Sequence, residues 1–347
     1  MPSNTSSHKV AVYTSARDLP QEVWIAFHEN PRNANIMLPY AKKARYNPDR
    51  YPGSAGSNVW LVCSTSAPGS LTASVDFVLS CTEGSLGSYP LFIFTPIPLS
   101  QLSAQFYLPR LRSLVKRLQQ SVPPERVFSI FALEPVARDF ASLWTKATGI
   151  SLDKDPEYYA AKFTYCTKTT LQSGQLAPLR DVAYDLRPAR ESDLHNVAEL
   201  CSGFAETSEP FTLSMSRATT EARLLIQSGQ VWVHEICARG HDQRPEIASI
   251  VAVTRTSDTV AGITKVFTNP RWRQRGCAER LVRHVCQQLL QTKESVVLYV
   301  AHNNPTAAKV YRRVGFVGLS QNDAPLEGVD PWLELGFDQK KVQLGHW

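Results

Sequence analysis

From about residue 182 the chain alternates short β-forming runs with longer stretches of helical spacing. Tyr184–Leu186 reads as a short strand closed by Arg187-Pro188. After Ser192, the apolar residues Leu194, Val197, Ala198 and Cys201 recur at helical intervals. A second helix is predicted over Thr219–Gln227, with Gly229 as its stop signal. Strands are predicted at Val231–Cys237, Ile247–Thr254 and Val260–Thr268, the last two joined by a turn at Ser257-Asp258. A long helix follows from about Gly276 to Gln291. Then come a strand at Val296–Ala301, a helix over Pro305–Val314 stopped by Gly315, and a last strand opened by Phe316. The order β-α-α-β-β-β-α-β-α-β belongs to an α/β domain with a mixed sheet.

The first half carries a fainter copy of this rhythm. Leu91–Thr95 is followed by Pro96, much as the strand ending at Thr268 is followed by Asn269-Pro270. Leu108–Gln120 places Leu111, Leu114, Val115 and Leu118 on one helical face, with Pro109 near its start. Val127–Ala132 reads as a strand. Glu134-Pro135 opens a helix that carries Phe140, Leu143 and Trp144 and ends at Gly149. The polar stretch Leu171–Asp181, with Gly174 and Pro178, is the linker candidate. The expected organisation is two tandem domains, 1–170 and 182–347, joined by 171–181.

Composition narrows the function. The chain has 347 residues, 43% of them hydrophobic and 20% charged, enough for two cored domains and unlike a disordered chain. Net charge is +6 with no basic run of five or more, so no nucleic-acid partner is expected. No apolar run reaches the length of a membrane span, and MPSNTSSHKV lacks a secretory pattern, so a cytoplasmic protein with no membrane partner is expected. The seven cysteines are widely spaced and form no C-x-x-C pair, so no metal is expected.

The chemistry concentrates in VFTNPRWRQRGCAERL, residues 266–281. A strand runs through a Pro turn into Arg273, Gln274, Arg275, Gly276, Cys277 and Ala278, then into a helix whose buried stripe is Ala278, Leu281, Val282, Val285, Cys286 and Leu289. A helix N-terminus offers unpaired N–H groups and positive dipole charge, so a pyrophosphate fits there. Gly276 permits close approach of backbone to ligand. No G-x-G-x-x-G is present, which argues against a dinucleotide fold. Further on, in HNNPTAAKVYRRVGF, Asn304 and Tyr311 lie two helical turns apart on one face. Tyr311 could donate its phenolic proton to a leaving thiolate. Equally, it could pack as a helix aromatic while Asn304 caps the helix.

These two segments, in this order over residues 182–320, resemble the Gcn5-related N-acetyltransferase superfamily. The resemblance implies two tandem domains of that kind, each a mixed, mostly antiparallel sheet flanked by helices, the second opening between two parted strands to bind acetyl-CoA. It implies that Phe267 and Thr268 offer backbone bonds to pantetheine. Arg273 to Ala278 would cradle the pyrophosphate, Asn304 would contact the pantetheine arm, and Tyr311 would be the general acid. In the first half the corresponding stretch, PIPLSQLSAQF, has neither glycine nor arginine. It resembles a degenerate copy that holds no CoA and shapes the acceptor pocket. The expected reaction is transfer of an acetyl group to a small amine by direct attack. A different acyl-CoA, a hydroxyl acceptor, or a non-catalytic acyl-CoA-binding regulator remain as alternatives, and oligomeric state is left open.

The general base is the weak point. The strand before the loop offers Thr264 and Lys265 and no carboxylate, while Glu235 and Glu246 lie on or beside neighbouring strands. His302 is the chosen candidate. Cys277 as a nucleophile is disfavoured, because the loop directs backbone rather than thiol at the phosphates. Tyr40–Tyr51 and Trp60 read as core packing or, alternatively, as an acceptor lining.

Overall fold

The computed structural model describes residues 7–46, 58–66, 72–174, 176–179, 182–238, 245–320 and 324–346. The chain divides into two compact units, Met1–Ala161 with Asp330–Trp347, and Lys162–Val329.

The first unit contains β1 (Ser7–Tyr13), α1 (Gln21–Glu29), α2 (Leu38–Tyr46), β2 (Val59–Ser66), β3 (Ala73–Cys81) and a small hairpin of β4 (Glu83–Gly84) and β5 (Gly87–Ser88). It continues with β6 (Leu91–Phe94), α3 (Ala104–Gln119), β7 (Ser129–Leu133), α4 (Glu134–Thr148) and the start of β8 (Leu152–Thr167). β1, β2, β3 and β6 pair antiparallel in that order, and β6 pairs parallel with β7.

The second unit contains the tail of β8, then β9 (Val182–Pro188), α5 (Leu194–Ala205), α6 (Met215–Gln227), β10 (Val231–Ala238), β11 (Glu246–Thr256) and β12 (Val260–Thr268). After these come α7 (Cys277–Leu289), β13 (Ser295–Ala301) and α8 (Pro305–Val314). Its ladder has the same plan: β9, β10, β11 and β12 antiparallel, then β12 parallel with β13. Apart from the β4–β5 hairpin and the returning C-terminal segment of the first unit, the two units share one element order and one ladder plan, as the sequence rhythm implies. One buried cluster joins this sheet to α7 and α8, and another joins it to α5 and α6.

The division of the chain differs from the sequence reading at two places. The second unit begins at Lys162, and the stretch expected to be a free linker packs against α7. Arg283 donates to the Gln172 carbonyl, Arg280 donates to the Ala177 carbonyl, and Leu179 joins a small apolar cluster with Cys277. The last residues return to the first unit as β14 (Pro331–Phe337), which pairs antiparallel with β7. Burial of Trp332, Leu333, Leu335 and Phe337 explains why that segment docks rather than trailing free.

The strand expected at Phe316 does not form. The chain there is irregular but anchored, since Val317 N–H donates to the Tyr165 carbonyl and the Thr164 hydroxyl donates to the Val317 carbonyl. Two helices begin earlier than their apolar pattern shows, because a serine caps each of them. Ser214 Oγ accepts from Arg217 N–H at the start of α6, and Ser103 Oγ accepts from Phe106 N–H at the start of α3. Pro109 therefore lies inside α3.

Candidate active site

β12 and β13 run side by side only at Val260–Gly262 with Ser295–Val297. Beyond that point the strands part. The end of β12 is half-exposed from Val266 to Thr268, although its first residues are buried. Which backbone groups face the opening follows from the β11 side. Asn269 N–H donates to the Ala248 carbonyl at 2.9 Å, and Ser249 Oγ donates to the Phe267 carbonyl at 3.1 Å. Residues 267 and 269 thus turn toward β11. Because backbone groups alternate along a strand, those of Val266 and Thr268 face away from β11, on the β13 side. The Phe267 backbone, expected to face pantetheine, is turned toward β11 instead. The backbone groups on the β13 side are those of Val266 and Thr268, and the Thr268 carbonyl also accepts from Arg273 Nε at 3.3 Å.

The loop after β12 is bent by two left-handed residues, Gln274 at φ 62° and Gly276 at φ 73°. Gly276 is the N-cap of α7, and no side chain caps the helix. Among the described residues, the backbone N–H groups of Gln274, Arg275, Gly276 and Ala278 have no backbone acceptor. Consecutive N–H groups in such a bend form a concave anion-binding nest. The positive φ favours glycine at 276, and a Cβ there would come within 2.8 Å of Arg280 Nη1, so the Arg280 side chain would have to shift. Arg280 itself is spent on structure, donating to the carbonyls of Arg275 and Ala177.

Arg273, Gln274 and Arg275 are exposed. Arg273 lies over the Phe267 ring and Arg275 over the Trp272 ring, with guanidinium carbons 5.4 Å and 4.9 Å from the ring centroids. Trp272 donates its indole N–H to Glu246 at 3.1 Å. Cys277 is buried, and burial pushes its thiol up from the usual range, which fits a structural role.

Asn304 is the N-cap of α8. Its side-chain oxygen accepts from Ala307 N–H at 3.0 Å. Capping uses the oxygen and leaves the amide NH₂ exposed. Tyr311 sits seven residues on, 8% exposed, in the cluster between α7 and α8, with its ring edge-to-face on Phe316 at 5.7 Å. Burial, and secondarily the neighbouring Cys286, raise the Tyr311 pKa above its ordinary value. The phenol therefore holds its proton throughout neutral pH. His302 is exposed on the turn after β13, and no hydrogen bond links it to Tyr311 or to the Asn304 side chain among the described residues.

The other base candidates are engaged. Glu235 pairs with Arg187 at 3.0 Å, and Glu246 accepts from Trp272 and pairs with Arg271 at 3.3 Å. On the α5 face, an open cavity is lined by Glu199, Glu206, Met215, Phe267 and Arg273, among others. Glu206 is the C-cap of α5, so the negative end of that helix adds to the two carboxylates.

The corresponding stretch of the first unit lacks these features. Ser103 caps α3, residues 95 to 103 contain no left-handed backbone, and β6 is buried throughout. Phe94 fills the strand end, packed edge-to-face on Phe27 at 5.1 Å. Tyr40 lies against Trp60, which is buried, as core packing requires; residues 47–57 fall outside the described ones.

A family model described as FR47-like protein matches residues 243–323, the segment from β11 through α8. No curated protein sequence matches the chain. Among solved structures, a tandem GNAT protein from the clavulanic acid biosynthesis pathway aligns at TM-score 0.51 and 12% identity, over 95% of this chain and 98% of its own. A GCN5-related N-acetyltransferase from Sphaerobacter thermophilus aligns at 0.52 and 13%, over 94% of each chain. A Drosophila protein aligns at 0.59 and 11%, over 95% of this chain and 99% of its own. The fold is that of the tandem GNAT proteins. Its second unit carries the FR47-like segment, and that segment contains the whole loop-and-helix arrangement described above. No helix among the described residues is long and apolar enough to cross a membrane.

Proposed function

We propose that this chain is an acyl-CoA-dependent N-acyltransferase that takes acetyl-CoA as donor and a small amine as acceptor, with one donor site, in the second unit. The observation that carries the reading is the set of open N–H groups from Gln274 to Ala278 at the mouth of parted strands. Open N–H groups in a left-handed bend at a helix N-terminus suit a diphosphate. Arg273 and Arg275 add positive charge at the rim.

The donor supplies an activated thioester; the chain's residues do the rest. Val266 and Thr268 present backbone groups that hold the extended arm and can bond a thioester carbonyl as negative charge builds on its oxygen. The exposed Asn304 amide donates to the same arm. Tyr311 keeps its proton at neutral pH and gives it to the departing sulfur. The acceptor amine enters from the α5 face, where Glu199 and Glu206 favour a protonated amine. His302, on the exposed turn after β13, takes the proton that the amine must lose before attack. Holding the two reactants together supplies much of the rate gain.

The absence of a carboxylate on β12 favours one rival, a CoA-binding regulator without turnover. Calorimetry with CoA, followed by thiol release from acetyl-CoA across a panel of amines, separates the two. The enzyme reading expects amine-stimulated release and a loss of about a hundredfold or more in kcat for Tyr311→Phe, the usual size of a lost general acid. CoA affinity should be unchanged in that variant. Binding without amine-stimulated release across the panel would overturn the reading.

A further inference from the structure

His234 sits in β10 with none of its surface exposed. It lies on the α7 side of the sheet, and its Nδ1 is 3.3 Å from the carbonyl oxygen of Cys277, the first residue of α7. A carbonyl can only accept, so Nδ1 carries the proton and Nε2 is a bare acceptor. That Nε2 is buried without a donor. Burial lowers the ring's pKa to about 4, so the imidazole is neutral at working pH. A buried acceptor with no partner is unfavourable, and leucine at this position would avoid it. What leucine could not do is hold the Cys277 carbonyl.

The Cys277 carbonyl and the Ala278 N–H belong to one peptide unit. Donation to the carbonyl polarises that unit and strengthens its N–H as a donor. Ala278 N–H is among the groups left open at the loop. The start of the same loop is held from β11. There the pairing slips by one residue after His234, and the extra residue, Ala248, accepts from Asn269 N–H. One end of the loop is therefore tied to β11 and the other to β10.

We propose that His234 is a positioning residue of the acyl-CoA site, acting through the Cys277 carbonyl to orient the first turn of α7 and sharpen the Ala278 N–H for a diphosphate. The inference rests on reading residues 273–278 as the CoA loop.

The test uses the full chain and three variants, His234→Asn, His234→Gln and His234→Leu. The asparagine amide reaches about where Nδ1 stands, whereas glutamine reaches toward Nε2. CoA affinity is measured by calorimetry, and kcat, the acetyl-CoA KM and the amine KM by thiol release. His234→Leu and His234→Gln should weaken CoA binding about tenfold, the size of one net hydrogen bond. Their kcat at saturating acetyl-CoA and their amine KM should not move, and His234→Asn should recover most of the affinity. Should the leucine variant not fold, the asparagine–glutamine contrast still decides. Equal CoA affinity in those two variants would overturn the inference. A wild-type chain that binds no CoA would instead overturn the loop reading, and this inference with it.

Discussion

Lys265 Nζ lies 2.7 Å and 2.8 Å from the two carboxylate oxygens of Glu221, with side chains only 9% and 11% exposed. The pair joins β12 to α6, and the Phe204 ring lies 5.0 Å from the ammonium. β12 thus carries the cation of the pair and α6 the carboxylate. Breaking one side of such a pair strands a buried charge. Lys265→Met is therefore expected to cost about 3–5 kcal/mol, while Lys265→Met with Glu221→Leu should regain most of it. Denaturant unfolding of the four chains in the cycle measures this. A double variant as unstable as the sum of the singles would contradict it.

Gly276 takes a backbone conformation that costs an L-residue about 1–2 kcal/mol. Gly276→Ala would also crowd Arg280 Nη1, which donates to the Arg275 carbonyl. Lower thermal stability and weaker CoA binding should appear together, read by melting temperature and calorimetry. Unaltered CoA affinity would show that the loop does not approach the ligand closely.

The capped start of α3 predicts that CoA titration saturates at a single equivalent per chain. Ser103→Ala should reduce stability by about 1 kcal/mol, a typical loss for a helix cap, without altering CoA affinity. A second binding equivalent would show that the first unit also holds the ligand.

His234 makes stability depend on pH. Its folded pKa of about 4 lies below the ordinary value near 6.5, so below pH ~6.5 the unfolded chain binds more protons. The contribution is fully present above pH ~6.5 and is lost as pH falls toward 4, up to roughly 3 kcal/mol. The groups facing the ring are Tyr184, with centroids 5.1 Å apart, Arg280, and the Cys277 carbonyl; the Arg280 charge opposes protonation. Urea unfolding at neutral and mildly acidic pH should show a smaller acid loss for His234→Asn than for wild type. Equal losses would place the acid sensitivity elsewhere.

Much of the second unit was legible because its elements carry their own signals. β12 and α8 begin and end where alternation, Pro305 and Gly315 place them, and α7 starts directly after Gly276. Nearby residues set these features through local sterics and periodicity. The serine-capped starts of α3 and α6 were missed because a cap is a single polar atom outside the apolar pattern.

The amino-acid order by itself determined the repeated strand–helix rhythm, the glycine-bearing loop that opens α7, and the spacing of Asn304 and Tyr311, since each is written within a few neighbouring residues. Tertiary structure alone decided that Val266 rather than Phe267 turns away from β11, that Glu221 meets Lys265, that His234 reaches the Cys277 carbonyl, and that residues 331–337 complete the first unit's sheet. Those outcomes depend on strand register and on contacts between segments tens to hundreds of residues apart, where no local pattern says which partner will be met.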